Sequence, residues 1–371
     1  MSRTVAFLFL GETLLIPHLY PIVEALADAA PDLRIDLWVS TSMHEGLIGG
    51  WLARRDTGNV RIRRAPGFRT LDGYADGRNP PLPSKLPMLV RLLPHLMRAR
   101  VVVSAEQTSL WLPAALPLRT RFVNTLHGAG TMMNRDDRRR RAAWRTLVAA
   151  ERERSELARY GVDPATIAVT GYVKAGFRQR SHAKIAFPDE RPVVLYAPHW
   201  QRHRSSWWDW GHDILTQLAA QDRYNVIFAP HQRLAEKVPD LRAIAADFGA
   251  LSHVHADLDS FATVDGSHTA AADVYLGDTS SQVNEFLMTP RPCLFLNAQQ
   301  ADWAGDPSYA MWDCGPVISG IEDVVTAIDA TRASHAGFVE TQRAFVRASM
   351  GAIDGTAPAR AAREVLAALD S

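Results

Sequence analysis

The sequence predicts an α/β protein made of two Rossmann-like domains that face a central cleft. The 371-residue chain exceeds the roughly 250 to 300 residues at which one hydrophobic core stops growing. In both halves, short apolar runs alternate with segments of helical period, as expected for parallel sheets covered by helices on both faces. We therefore predict an N-terminal domain over 1–185 and a C-terminal domain over 186–371, divided where the apolar pattern lapses at "AKIAFPDER".

The first half opens with the order strand, helix, strand. The apolar run at 5–10 predicts a strand that is buried on both faces. A glycine-containing turn and a helical pattern follow it, and 33–39 predicts the next strand. Further short strands are predicted at 101–103 and 122–126. The charge-rich stretch at 134–161 is predicted to be a helix with a solvated face.

The second half repeats the same order of elements. Short strands are predicted at 192–197, 225–229, 274–276 and 293–296. A helix is predicted at 214–220, between the first two of these strands. The last periodic segment, 338–369, is largely helical and is expected to cross back to the first half.

Composition excludes several classes of protein. The formal net charge of +1 does not support a nucleic-acid-binding surface. Two cysteines, Cys293 and Cys314, cannot form a disulfide framework and are expected to be buried thiols in a reducing compartment. No apolar run reaches the roughly 18 residues that a membrane span needs, and the N-terminal run is too short for a signal peptide. These features predict a cytoplasmic protein.

The segment "SKLPMLVRLLPHLMRAR", residues 84–100, mixes large apolar residues with basic ones. This mixture suits a helix that lies on the anionic inner-membrane surface or holds a lipid-linked acceptor. An ordinary packed helix explains the pattern equally well, because Pro94 interrupts it. Both interpretations stay open at this point.

A run of short polar residues marks the end of one buried strand in "LGDTSSQVNEFL", residues 276–287. Asp278, Thr279, Ser280 and Ser281 stand where a helix is predicted to begin, and a helix N-terminus favours a phosphate. An N-cap is the plain alternative, but a cap needs only one hydroxyl. Glu285 lies one turn further on, where it could accept both hydroxyls of a ribose. The pattern predicts a nucleotide-diphosphate site.

Three histidines follow predicted strands. In "NTLHGAG", His127 precedes Gly128 and Gly130, which allow close approach of a ligand to the backbone. A histidine is suited to act as a general base because its pKa lies near neutrality. In "VLYAPHWQ" and "VIFAPHQR", Ala-Pro-His places His199 and His231 at strand ends. One such histidine is more often structural, but several strand ends with polar groups predict a shared site.

The motifs "LHGAG", "VTGYVKAGF", "LYAPHW", "FAPHQ" and "LGDTSSQVNEFL" together resemble the CDP-glycerol glycerophosphotransferase family, the teichoic-acid polymerase-like enzymes of the bacterial cell envelope. The resemblance runs in order from about residue 120 to residue 300. It implies the two-domain GT-B fold, a CDP-glycerol-like donor, a lipid-linked or glycan acceptor, and no cofactor. It also implies a protein without a bound metal, and no Cys/His cluster in the sequence has ligand spacing.

The resemblance also implies roles for individual residues. His127 would be the base that deprotonates an acceptor hydroxyl, His231 would stabilise the donor phosphate, and Ser280 and Ser281 would hold the pyrophosphate. The remaining donor-binding candidates are Asp278, Thr279, Glu285, Pro198 and His199. The candidates on the acceptor side are Gly128, Gly130, Lys174, Trp200 and Arg202.

This chain departs from the family pattern at several positions, which leaves the donor open. Gln232 follows His231 where the family has proline, and His199 stands where a threonine is usual. A UDP-sugar glycosyltransferase or a non-hydrolysing UDP-sugar 2-epimerase is the first alternative. An epimerase would need carboxylates in the first domain, where Glu12 and Glu106 are the candidates. A non-catalytic nucleotide-binding module is the second alternative.

The aromatic run "SSWWDWG" follows the first Ala-Pro-His strand. Trp207, Trp208 and Trp210 could stack on a base, a sugar or a lipid head group. A buried hinge between the domains explains the same residues.

Overall fold

Two parallel β-sheets organise the computed structural model, which describes residues 4–55, 58–75, 78–128, 138–181 and 185–371. The described residues form two units. The first unit contains those among 1–128, 138–179 and 347–371, and the second contains those among 180–346. Each unit holds one sheet and the helices that cover it. The prediction of two Rossmann-like α/β domains is confirmed.

The sheet of the first unit has the strand order β3-β2-β1-β4-β5-β6-β7, with every neighbouring pair parallel. Its strands are β1 (Thr4–Phe9), β2 (Arg34–Thr41), β3 (Val60–Arg69), β4 (Val101–Ser104), β5 (Arg121–Thr125), β6 (Arg145–Val148) and β7 (Ile167–Val169). The helices are α1 (Ile16–Ala29), α2 (Ser42–Leu52), α3 (Lys85–Leu96), α4 (Trp111–Ala115) and α5 (Glu151–Arg159).

The sheet of the second unit has the order β10-β9-β8-β11-β12-β13 and is also parallel. Its strands are β8 (Val193–Ala197), β9 (Asn225–Phe228), β10 (Val254–Ala256), β11 (Val274–Gly277), β12 (Cys293–Leu296) and β13 (Val317–Ile318). The helices that follow in the chain are α6 (Trp207–Ala220), α7 (Leu234–Lys237), α8 (Leu241–Gly249), α9 (Ala262–Asp265), α10 (Ser267–Ala271), α11 (Ser281–Phe286), α12 (Val324–Ser334), α13 (Val339–Met350) and α14 (Ala357–Asp370).

The C-terminal helix α14 returns to the first unit, as the sequence predicts. It packs on α1, and Glu364 pairs with Arg145 of β6 at 3.0 Å. Arg121 of β5 donates to the carbonyl of Ala368 at 2.8 Å. The predicted helical segment 338–369 is broken into α13 and α14.

Burial explains why the strands read as apolar runs. Every residue of β1, β4, β9, β11 and β12 is buried, because helices cover both faces of each parallel sheet. The prediction of a solvated helix over 134–161 is confirmed for α5, whose residues are mostly exposed or half-exposed. It is wrong for residues 145–148, which form strand β6, and the last three residues of that strand are buried.

The strand orders place a switch point in each sheet. The chain builds outward from β1 in one direction and then from β4 in the other, and it does the same from β8 and from β11. In open α/β sheets, ligands bind at the carboxyl ends of the two strands that flank this point. The two edges at which a ligand is expected are therefore the carboxyl ends of β1 and β4 and the carboxyl ends of β8 and β11.

Within the described ranges, no helix is both long and apolar enough to cross a membrane.

The tryptophan run belongs to the second unit. Trp207 is buried in the core of that unit, where its ring stacks on Phe228 with centroids 5.8 Å apart. Trp208 and Trp210 pack at the border of the same core. Trp207 therefore packs within one unit and forms part of that unit's core.

Candidate functional site

In the second unit, the ends of β8 and β9 carry the two Ala-Pro-His sequences. The rings of His199 and His231 have centroids 5.3 Å apart. The main-chain N–H of His231 donates to the carbonyl of Pro198 at 3.1 Å, which joins the two strand ends. The structure thus brings together three residues that the sequence predicts for one site.

Asp278 follows β11 and holds this edge of the sheet in place. One of its carboxylate oxygens accepts the main-chain N–H of His199 at 2.8 Å, and the other accepts that of Ser206 at 2.9 Å. Ser206 is the residue before α6. Burial raises the pKa of Asp278 to about 7, although these hydrogen bonds and Arg204 act in the opposite direction. Asp278 therefore connects the end of β11 to the end of β8 and to the start of α6.

His199 lies between two groups that can only donate hydrogen bonds. The main-chain N–H of Gln201 is 3.1 Å from Nδ1, and the Arg204 guanidinium is 3.2 Å from Nε2. Burial, followed by the charges of Arg204 and His231, lowers the pKa of His199, so the ring is neutral at pH 7. A neutral imidazole has one acceptor nitrogen. The ring can therefore satisfy only one of these two donors at a time.

His231 has a defined tautomer in this structure. Its Nδ1 accepts the main-chain N–H of Arg233 at 3.2 Å. Burial, followed by the charges of Arg233 and Arg204, lowers the pKa of His231 to about 3, so the ring is neutral at pH 7. Because Nδ1 accepts, the proton of the neutral ring is on Nε2. The ring therefore presents Nε2–H as a hydrogen-bond donor.

Positive charge accompanies these histidines. The charges of Arg204 and Arg233 act on His199 and His231 and lower their pKa values. The Arg233 guanidinium lies over the ring of Trp200, 5.2 Å from its centroid, and the same ring stacks on His199 at 5.9 Å. The two neutral histidines, His199 and His231, and the two arginines, Arg204 and Arg233, form a histidine–arginine cluster at the ends of β8 and β9.

Arg202, predicted on the acceptor side, is exposed. Its guanidinium lies over the ring of Trp208, 5.4 Å from the centroid. Trp208 packs on the core of the second unit. Arg202 thus has an aromatic partner of its own, separate from the Trp200 ring.

The hydroxyl run after β11 divides into different roles. Ser280 is the N-cap of α11, and its Oγ accepts the N–H of Gln282 at 3.3 Å. Ser281 is the first residue of that helix, which has six residues. The Oγ1 of Thr279 is buried and has no hydrogen-bond partner among the described residues. The capping alternative therefore accounts for Ser280 but leaves the Thr279 hydroxyl unexplained.

Glu285 lies on α11 and is buried. Its Oε2 lies beside Gly266, where an added Cβ would come within 3.5 Å of it. Gly266 has a φ of +87°, which favours glycine. The ribose-binding role predicted for Glu285 remains a prediction.

In the first unit, His127 follows β5 and has the tautomer of a general base. Its Nδ1 lies 2.9 Å from the carbonyl oxygen of Ala105, just after β4. A carbonyl can only accept, so Nδ1 carries the proton and Nε2 is the acceptor nitrogen. Gly128 has a φ of +74°, a conformation that a glycine adopts without strain. Gly130 lies outside the described residues.

His18 is a candidate residue that the sequence analysis missed. It lies on α1, is 4% exposed, and its ring centroid is 6.0 Å from that of His127 and 5.6 Å from that of Tyr172. Burial, then the charges of Lys174 and His127, lower the pKa of His18 well below its usual value. The only sequence signal is a histidine within the apolar "LIPHLYPI", which resembles an ordinary core histidine.

Glu106 follows β4 at the switch point of the first unit. Its two carboxylate oxygens accept the main-chain N–H groups of Thr108 at 3.0 Å and Ser109 at 3.1 Å. Lys85 of α3 forms an ion pair with it at 3.7 Å. These contacts give Glu106 a structural role at the end of β4.

No known protein-family model matches the sequence, and no curated protein matches it. Several solved structures do match. The wall teichoic acid polymerase TagF aligns with a TM-score of 0.66 and 13% identity over 99% of this chain and 89% of that one. A putative UDP-N-acetylglucosamine 2-epimerase from Listeria monocytogenes aligns with a TM-score of 0.62 and 14% identity over 100% and 96%.

The UDP-GlcNAc 2-epimerase from Methanocaldococcus jannaschii aligns with a TM-score of 0.59 and 11% identity, over 99% of this chain and 100% of that one. Each alignment spans almost the whole of this chain. At identities this low the likeness shows the fold alone. The chain therefore has a GT-B-type fold of two Rossmann-like units, which it shares with a teichoic acid polymerase and with sugar-nucleotide epimerases.

Proposed function

We propose that this protein transfers a glycerophosphate-like group from a nucleotide-diphosphate donor to a hydroxyl of a cell-envelope glycan or lipid. The sequence motifs favour a CDP-linked donor. The observation that carries the proposal is the histidine–arginine cluster at the carboxyl ends of β8 and β9, where β8 is one of the two strands that flank the switch point of the second unit. It combines the Nε2–H donor of His231 with two guanidinium groups at the position where this fold class binds ligands.

The chemistry of the cluster fits a diphosphate. Phosphate oxygens accept hydrogen bonds, and arginine is well suited to bind them. Arg204 and Gln201 both direct donors at His199, which can accept only one. A phosphate oxygen that accepted from Arg204 would remove this competition. The buried Thr279 hydroxyl supplies a further donor after β11.

In this proposal, the first unit supplies the base. His127 takes the proton of the acceptor hydroxyl at Nε2, while the bond from Nδ1 to Ala105 holds the ring in that tautomer. General-base catalysis of this kind contributes roughly 10²- to 10⁴-fold in rate. His18 is placed to influence the charge that His127 gains, since an electrostatic interaction couples the two rings.

The reaction is a displacement at phosphorus. The acceptor oxygen forms a bond to the phosphorus of the glycerophosphate group as the bond from that phosphorus to the bridging oxygen of the diphosphate breaks. The nucleoside monophosphate leaves with the electron pair of the broken bond. The proton that the acceptor hydroxyl loses is held by His127. His231 and the two arginines stabilise the charge on the leaving group.

A sugar-nucleotide enzyme is the second candidate function. It is favoured by the fold, because two of the similar structures are described as UDP-N-acetylglucosamine 2-epimerases, one of them putative. The structure of Glu106 weighs against an epimerase, since both its carboxylate oxygens are held by main-chain N–H groups. On the other side, TagF was also solved after soaking with CDPG, which supports a cytidine donor.

We also propose that α3 docks on the cytoplasmic face of the inner membrane and so brings the enzyme to a lipid-linked acceptor. Leu86 and Val90 on this helix and Met97 just after it are 49%, 58% and 61% exposed. The spacing of 4 and 7 residues places them on one helix face. Arg91 and Arg98 flank them and are also exposed, a combination suited to an anionic bilayer.

The enzymatic proposal is tested by incubating the protein with CDP-glycerol and a lipid-linked glycan acceptor and following release of CMP by ³¹P NMR. UDP-GlcNAc is supplied in a parallel reaction. The proposal expects CMP from the first reaction, and it expects His127→Asn to abolish the release. His212→Asn is the matched control, since His212 is an exposed histidine of α6 that lies outside the histidine–arginine cluster. Conversion of UDP-GlcNAc to its C2 epimer without CMP release would contradict the proposal.

A further inference from the structure

Three side chains of the kind that bind transition metals meet at the edge of the second sheet. His255 is on the edge strand β10, Asp257 directly follows that strand, and His268 is on α10. One potential ligand atom from each lies within 4.8 Å of the other two. The chain thus brings two imidazoles and one carboxylate together from two different elements.

The hydrogen bonding of this group is incomplete. His268 Nε2 lies 2.8 Å from Asp257 Oδ2. Its other nitrogen, Nδ1, is buried without a hydrogen-bond partner among the described residues, and the same is true of His255 Nε2. Buried polar atoms in proteins are nearly always paired, and an unpaired one often marks the position of an ion or a water. These two unpaired nitrogens belong to the His255 and His268 rings, whose centroids are 5.6 Å apart.

Asp257 is already oriented as a ligand would be. Its Oδ1 accepts the main-chain N–H groups of Asp259 at 3.0 Å and Ser260 at 2.9 Å. These bonds fix the carboxylate, and its Oδ2 faces His268 and also accepts the Ser260 hydroxyl.

We infer that His255, Asp257 and His268 form a binding site for one divalent transition-metal ion of the zinc type. Two imidazoles and a carboxylate match the ligands that zinc takes, whereas calcium and magnesium prefer oxygen alone. Zinc bonds of about 2.0 to 2.1 Å in a tetrahedron place the ligand atoms roughly 3.4 Å apart. Two atoms at the 4.8 Å limit would therefore have to approach each other by about 1.4 Å.

The site shares no residue with the histidine–arginine cluster. Strand β10 is the outermost strand, and β9 lies between it and β8 in the sheet. A bound ion would connect the edge strand to α10. Since β10 has three residues and pairs only with β9 in the described sheet, this connection is expected to stabilise the edge of the second unit.

The prediction of no metal site came from the family resemblance, and the absence of a Cys/His cluster with ligand spacing agreed with it. His255 and Asp257 are two residues apart, and alternate residues of a strand share a face. The third ligand comes eleven residues later from a helix, so no short motif is formed. Only the packing of α10 against the strand edge shows the group.

The test is titration of the full chain with Zn²⁺ and, separately, with Co²⁺, whose visible absorption reports on its coordination. The inference expects one tight site and a higher unfolding temperature on adding Zn²⁺. His255→Gln and His268→Gln should weaken binding by more than the roughly 10- to 100-fold that loss of an indirect partner costs. His255→Gln is the safer variant, because His255 is only partly buried.

His253→Gln is the matched control. His253 immediately precedes β10, and its Nε2 bonds to the carbonyl of Leu218 at 3.2 Å, so this variant should bind Zn²⁺ as the wild type does. The inference is overturned if the wild type gains no thermal stability and shows no cobalt absorption. It is also overturned if His255→Gln and His268→Gln, both folded by circular dichroism, bind the metal like the control.

Discussion

The buried carboxylate of Asp278 makes a specific prediction about stability and pH. Its pKa rises from 3.8 to about 7 on folding, chiefly through burial. A difference of about 3 units corresponds to roughly 4 kcal/mol, at about 1.36 kcal/mol per unit. Because the folded-state pKa is the higher one, the stabilisation from Asp278 is fully present below about pH 4. It is lost as the pH rises through about 7.

Asp278→Asn removes the ionisation but keeps one oxygen acceptor. The variant loses one of the two hydrogen bonds to His199 and Ser206, which costs roughly 1 to 3 kcal/mol at every pH. At pH 4 it should therefore be less stable than the wild type. Between pH 4 and pH 8 the difference should move in favour of the variant by up to about 4 kcal/mol, at no more than about 1.4 kcal/mol per pH unit.

Urea unfolding, followed by tryptophan fluorescence at half-unit steps of pH, measures this difference. Asp213→Asn, at an exposed position of α6, controls for loss of a carboxylate in the same region. A difference between Asp278→Asn and the wild type that stays constant across the range would refute the reasoning. It would mean that the Asp278 carboxylate is ionised in the folded state at low pH.

Three further predictions concern the candidate site. Replacing His127 by Gln should lower turnover by at least roughly 10²-fold, because no group then takes the acceptor proton, while nucleotide affinity measured by calorimetry stays unchanged. Arg233→Met should weaken the binding of nucleoside diphosphates by about 10-fold or more, since a charge-assisted hydrogen bond to phosphate is worth roughly 1.5 to 3 kcal/mol. Equal affinity of the variant and the wild type would show that Arg233 does not bind the diphosphate. Thr279→Val keeps the shape but deletes a buried hydroxyl without a partner, so it should leave the unliganded protein at least as stable in thermal unfolding and reduce nucleotide affinity. A clear loss of stability would show instead that the hydroxyl is bonded in the free protein.

The fold followed from the sequence wherever strands are buried on both faces. Strands β1, β4 and β11 read as continuous apolar runs because every residue in them is buried. Strand β3 was missed, since its residues are mostly half-exposed and rich in arginine. Strands β10 and β13 were missed because three and two residues, respectively, are too short to show a period.

The candidate site was predicted less completely, for a physical reason. Short motifs identify residues that follow strands, so His199 and His231 could be named. What a side chain contacts depends on packing between distant segments. Asp278 was predicted to bind the donor, and in the structure its carboxylate accepts two main-chain N–H groups 72 and 79 residues away in the chain.

The same limit applies to residues that the sequence did not single out. His18 lies in an apolar helix and becomes notable only because the ring of His127 is 6.0 Å away. The site formed by His255, Asp257 and His268 draws on a strand and a helix that no motif connects. In both cases the signal is a juxtaposition that appears only after folding.

The central claim is that the histidine–arginine cluster binds a nucleoside diphosphate. The most direct test is a thermal unfolding series of the wild type and Arg233→Met with CMP, CDP, CDP-glycerol, UDP, UDP-GlcNAc and ADP. A ligand at about 100 times its Kd adds roughly 2.7 kcal/mol of stability, which raises the midpoint by several degrees. We predict this rise for CDP and CDP-glycerol with the wild type and a smaller one with the variant. A wild-type midpoint that no nucleotide raises would contradict the claim.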